Sequence, residues 1–140
     1  MGWGLLGSAY APMSPESAKS ALVRLQDAPG ADNPDAIAMI GHVSVDIGDY
    51  QTAVAAFNKV LPQRSGRLAV QETAPLAIAH LQAREIPTGL RHAEAALHLS
   101  EAVRSIQSAG ALRRLGTVLA AQQDSTAQDL ARRVTAASAA

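Results

Sequence analysis

The apolar and small positions of this chain repeat one short pattern four times: WGLLGSAY (residues 3–10), IAMIGHVS (37–44), TAPLAIAH (73–80) and LRRLGTVL (112–119). In each stretch an apolar residue stands three places after the first, and Gly or Ala follows it. Spacings of three and four keep such residues on one face of a helix. The small residues are Gly7, Gly41, Ala77 and Gly116, which are 34, 36 and 39 residues apart. Intervals of this size announce an array of repeated helical units.

The segment C-terminal to each anchor is also regular. After Gly41 comes GDYQTAVAAFNKVL (48–61), after Ala77 comes REIPTGLRHAEAAL (84–97), and after Gly116 comes QDSTAQDLARRV (123–134), while the first unit has the shorter MSPESAKSALVRL (13–25). Each unit therefore predicts a helix, a tight polar turn and a second helix. Four units span approximately 1–30, 32–63, 66–100 and 105–137, and together make a single domain over residues 1–140. The small anchors let the second helix of a unit approach the first, with Ala53 or Gly89 doing the same from the other side. Trp3 with Tyr10, and Tyr50 with Phe57, are expected to fill the space between stacked units. Asp49 and Ser14 stand where N-cap oxygens are wanted, and Pro15 suits a first turn. Pro75 falls inside the third unit's first helix, where it is expected to bend the helix or shift its start.

Composition sharpens this picture. Apolar residues make up 48% of the chain, yet the aromatics are one Trp, two Tyr and one Phe. A core built from Ala, Leu, Val and Ile favours close-packed helices, because alanine is the best helix former and a poor strand former. The expected class is all-α.

Twelve basic residues balance twelve acidic ones, so no overall field draws the chain to nucleic acid or to an anionic membrane. With no cysteine, disulfides, thiolate metal sites and a cysteine nucleophile drop out together. No apolar run approaches the roughly 20 residues of a membrane span, and the start lacks the basic-then-apolar plan of an export signal. A cytoplasmic location is the expectation.

The stretches W-x-x-L-G-x-A-Y and G-D-Y-x-x-A-x-x-x-F together resemble the tetratricopeptide repeat. The first unit carries the better first half and the second unit the better second half. The third and fourth units are longer than the family period. HVSVDIGDYQTAV, LPQRSGRLAV, HAEAALHLSEAVRS and ALRRL, over roughly residues 36 to 116, are similar to the C-terminal repeat region of actinobacterial XRE-type helix-turn-helix regulators. The DNA-binding domain of such regulators is not in this sequence. The resemblance implies an α-α superhelix of about four helix-turn-helix units, with a concave groove lined by the first helices.

The family's ligand-facing positions, carried over residue by residue, fall on Gly4, Ser8 and Ala11 in the first unit and on Ala38, His42, Val45 and Asp46 in the second. In the third unit they fall on Ala74, Ile78, Leu81 and Gln82, and in the fourth on Arg113, Thr117 and Ala120. Family members that clamp a peptide's C-terminal carboxylate use Lys, Asn and Arg, whereas the matching places hold Gly4, Ser8, Ala38, His42, Ala74 and Ile78. The implied groove is small-lined and apolar with a few polar points, which suits an apolar or amphipathic peptide.

Catalytic chemistry finds no footing. His42, His80, His92 and His98 include no i, i+4 pair and no HExxH arrangement, so no metal is expected. No serine lies in G-x-S-x-G, and the chain has no Walker loop or dinucleotide fingerprint, so no cofactor is expected either. Asp46 and Asp49 sit at a turn, where capping accounts for them. Arg104, Arg113, Arg114, Arg132 and Arg133 concentrate late in the chain, but without interleaved aromatics they read as a solvated face rather than a nucleic-acid surface.

The expected role is a noncatalytic module that binds a protein or peptide in the concave groove, with no direct contact to nucleic acid or membrane. The alternative is a sensory and dimerising region of a transcriptional regulator without its DNA-binding domain. That alternative expects a homodimer through the N-terminal end, where Trp3, Leu5 and Leu6 have nothing before them to pack on; either another chain covers that end or the sequence belongs to a longer protein.

Overall fold

The computed structural model describes residues 33–103 and 105–139. The first expected unit, with Trp3, Ser8, Tyr10 and Ser14, lies outside the described residues, as does Arg104. The described chain is all-helical: α1 (Pro34–Ile47), α2 (Tyr50–Val60), a 3-10 turn (Leu61–Gln63), α3 (Gly66–Gln82), α4 (Ile86–Glu101), α5 (Ile106–Ala120) and α6 (Ser125–Ala139). No strand occurs among the described residues.

Local chemistry sets the helix ends. Asn33 caps α1 by accepting a hydrogen bond on Oδ1 from the Asp35 amide at 2.8 Å, with Pro34 in the first turn. The helix stops at Gly48, whose φ of 81° is left-handed. The amide of Gly48 donates to the Val45 carbonyl and that of Asp49 to the Ser44 carbonyl, so two otherwise unpaired carbonyls are satisfied. Asp49 then caps α2, accepting from the Thr52 amide at 3.2 Å and from the Thr52 hydroxyl at 2.7 Å. Ser105 caps α5 through the Ser108 amide, and Asp124 accepts from the Ala127 amide at the start of α6.

The turn from α3 to α4 repeats the α1–α2 geometry without its glycine. Arg84 takes φ 68°. Its amide donates to the Leu81 carbonyl and the Glu85 amide donates to the His80 carbonyl. An L-residue in this conformation brings its Cβ close to the following carbonyl oxygen, so the turn carries strain that the α1–α2 turn avoids.

Neighbouring helices form three antiparallel hairpins, α1–α2, α3–α4 and α5–α6, which are the most extensively packed pairs. Between hairpins α3 lies against α1, α2 and α5, and α4 against α5 and α6. The close contacts run through small residues. A Cβ on Gly41 would stand 2.7–2.9 Å from the Phe57 ring, one on Gly89 2.7 Å from the Leu81 side chain, and one on Gly116 2.8 Å from Thr135 Oγ1. Phe57 is fully buried, which stabilises the fold by about 1.5–3 kcal/mol. It fills the inside of its own hairpin, over Gly41. Ala53, Ala74, Ala77, Ala79, Ala93, Ala96 and Ala127 are fully buried as well, and their short side chains let helix axes come close.

The central element is α3. From Glu72 to Leu81 every residue is buried, because α1, α2, α4 and α5 surround it. The helix runs through Pro75 uninterrupted from Gly66 to Gln82. The proline removes one helical donor without ending the helix, since the packing around it holds the backbone in place. Buried Glu72 accepts from Arg64 Nε at 2.9 Å, and the same guanidinium reaches Asp35 at 2.9 Å through Nη2. Arg64 thus ties the start of α1 to α3. Burial still pushes the Glu72 carboxyl above its ordinary value, against the lowering effect of Arg64.

Candidate functional site

The expected groove residues divide into two groups. Ala38, Val45, Ile78 and Leu81 are buried, with Leu81 pressed against Gly89. They pack helices together in this conformation and present no surface to a ligand. His42 is partly buried, whereas Asp46, Gln82, Arg113 and Thr117 are exposed. Ser8 lies outside the described residues.

The structure brings part of the second group together. Asp46 sits on the last turn of α1, and its Oδ1 accepts from Arg114 Nη2, on α5, at 2.8 Å. His42, one turn earlier on α1, feels both charges. Burial is the main influence on its ring, lowering its pKa to about 4 from 6.5; Asp46 opposes this and Arg114 adds to it. The imidazole is consequently neutral near pH 7, and it stands edge-on to Phe57 with ring centroids 5.2 Å apart. Arg113 is adjacent to Arg114 in sequence, and its backbone carbonyl accepts from the Thr117 hydroxyl at 3.1 Å. Gln82, at the end of α3, makes no side-chain hydrogen bond to this cluster among the described residues.

Two features were not foreseen from the sequence. The sequence offered Arg114 as part of a solvated face and Asp46 as a turn residue and groove position, without pairing them; they form an ion pair that spans α1 to α5. The second feature is a stacked imidazole pair: His80 on α3 and His92 on α4 lie with centroids 5.1 Å apart and planes within 9°. His80 Nδ1 is 2.8 Å from Glu85 Oε1. Burial lowers the His92 pKa, with His80 and Arg91 contributing in the same direction. A sequence signal existed for the Glu85 contact, because a tight left-handed helix end brings residues five apart together. The ring stack depends on hairpin register, which leaves no local trace.

Among the described residues no group of three or more His, Cys, Asp or Glu side chains could hold a metal ion. No helix among them is long and apolar enough to cross a membrane. The Asp46–Arg114–His42 cluster offers paired charges and a neutral imidazole nitrogen. Compared with models of known protein families, with curated proteins and with solved structures, the chain matches none.

Proposed function

We propose that this chain is a noncatalytic helical-repeat module of tetratricopeptide type, which binds a protein or peptide on the face formed by the first helices of its hairpins. The observation that carries this reading is the order of packing: α1 against α3, and α3 against α5, with the second helices α2, α4 and α6 completing each hairpin. The first helices thus lie in sequence, α1 and α5 flanking a buried α3 whose end is exposed at Gln82, and stacked hairpins use the face of their first helices for binding. The buried positions Ala38, Val45, Ile78 and Leu81 hold the face together. Ligand contact falls to the accessible polar points His42, Asp46, Gln82, Arg113, Arg114 and Thr117.

The test is selection of binders from a displayed library of random peptides of about a dozen residues, with amide chemical-shift mapping of the labelled chain against the strongest binder. Shifts concentrated on His42, Asp46, Gln82, Arg113 and Thr117 are expected. Shifts confined to α2, α4 and α6 overturn the reading.

A further inference from the structure

At the edge of that face, which it meets at Arg113, an open cleft of about 500 Å3 lies between the end of α4, the start of α5 and the end of α6. Its apolar lining comes from Val103, Ala109, Leu112 and Ala137. Ile106, the first residue of α5, stands at the cleft with 86% of its surface in water, the most exposed large apolar side chain among the described residues. Two opposite charges line the same cleft. Glu101 is exposed at the end of α4, and its one ion pair among the described residues is a 3.3 Å contact to the exposed His98. Arg113 folds back along α5, its Nη2 lying 3.8 Å from where a Cβ on Gly110 would stand. No ion pair to Arg113 occurs among the described residues.

Three of the four hydroxyls lining the cleft donate within the chain. Ser100 donates to the Leu97 carbonyl, Ser138 to the Thr135 carbonyl, and Ser105 to Ser108 Oγ. A small polar ligand would find few free partners there, whereas a dry apolar side chain with a charge on each flank would fit.

We propose that this corner is a self-association surface and that its occupant is a second copy of the chain. A two-fold contact requires one patch to be its own complement. This patch holds a protruding side chain beside a hollow, and an anion beside a cation. Two-fold pairing seats Ile106 of each copy over Val103, Ala109 and Leu112 of the other, and sets Glu101 of each opposite Arg113 of the other. The surface shares Arg113 with the proposed binding face, and its apolar part, centred on Ile106, lies apart from the contact points proposed there.

Sedimentation of the full chain from about 1 μM to about 500 μM tests the proposal, a range suited to a contact confined to one corner. The expected weight-average mass rises from 14.5 kDa toward twice that value. Ile106→Asp holds the chain at the monomer mass throughout. Glu101→Arg and Arg113→Glu each weaken association about tenfold, and the double reversal restores it. Circular dichroism of each variant verifies the fold. A wild-type chain that stays monomeric overturns the proposal, and so does association that persists in Ile106→Asp, which would place the contact elsewhere. Peptide binding on the α1–α3–α5 face is read separately, by chemical-shift mapping.

Discussion

Arg114 and Asp46 are 68 residues apart in sequence and 2.8 Å apart in space. The first is on α5 and the second on α1, and α3 packs against both helices. The pair therefore bridges the two helices that flank the central one. Groove positions on α3 such as Ile78 and Leu81 are closed off in this geometry.

A double-mutant cycle with Arg114→Ala and Asp46→Ala measures that link. Both side chains retain contact with water, at 51% and 32% exposure, so a coupling energy of under about 1 kcal/mol is expected, shrinking in about 1 M salt. Urea unfolding at low and high salt reads it. A coupling unchanged by salt would show that the contact is not electrostatic.

Gly41→Ala places a methyl group 2.7–2.9 Å from the Phe57 ring. Alanine gains up to about 1 kcal/mol in helix propensity, but overpacking a filled core costs about 1–3 kcal/mol. The expected result is a net loss of stability, partly relieved when Phe57→Leu is added. Thermal unfolding of the single and double variants checks this, and strict additivity would contradict the close approach.

Gly48 and Arg84 occupy equivalent left-handed positions in two hairpin turns, at φ 81° and 68°. Gly48→Ala should cost about 1 kcal/mol, while Arg84→Gly should gain about 0.5 kcal/mol as relief of backbone strain outweighs added chain entropy. Urea midpoints of the two variants should move in opposite directions.

Acid should destabilise the fold through His42. Its folded pKa of about 4 lies below the ordinary 6.5, so between those values the unfolded chain takes up a proton that the folded chain refuses. The stability concerned is fully present above pH 6.5 and is lost as pH falls toward 4, by up to about 3 kcal/mol. His92 is shifted in the same direction. Glu72 works the other way, since a raised carboxyl pKa favours the fold on acidification. Comparing urea unfolding at about pH 7 and about pH 4.5 isolates His42: the loss should be smaller in His42→Gln than in the wild type.

The helical class was legible because alanine dominates the core and because the small anchors recur where helices touch. Gly41, Gly89 and Gly116 stand at close approaches, and Asp49 caps α2 as its chemistry suggests. The burial of α3 on every side was harder to read. Glu72, Thr73 and His80 give it a polar-looking pattern, and Glu72 is tolerated inside only because Arg64 arrives from the preceding turn. The ends of Pro75's helix were also not readable, because tertiary packing overrides the local preference to break. Candidate binding positions carried over from the family resemblance put Ala38, Val45, Ile78 and Leu81 on a surface, whereas in this fold they are interior. Spacing identifies a helix face; only the curvature of the stack decides whether that face meets water.

The encasement of α3 also governs how the chain comes apart. Linear stacks of hairpins can fray from either end, one pair at a time, while the remainder stays folded. Here the middle rod is gripped from both flanks, so peeling away the outer hairpins strips its wrapping and leaves its apolar length with no shelter. Melting is then a single collective event, and the amide protons slowest to exchange with solvent belong to residues 72–81.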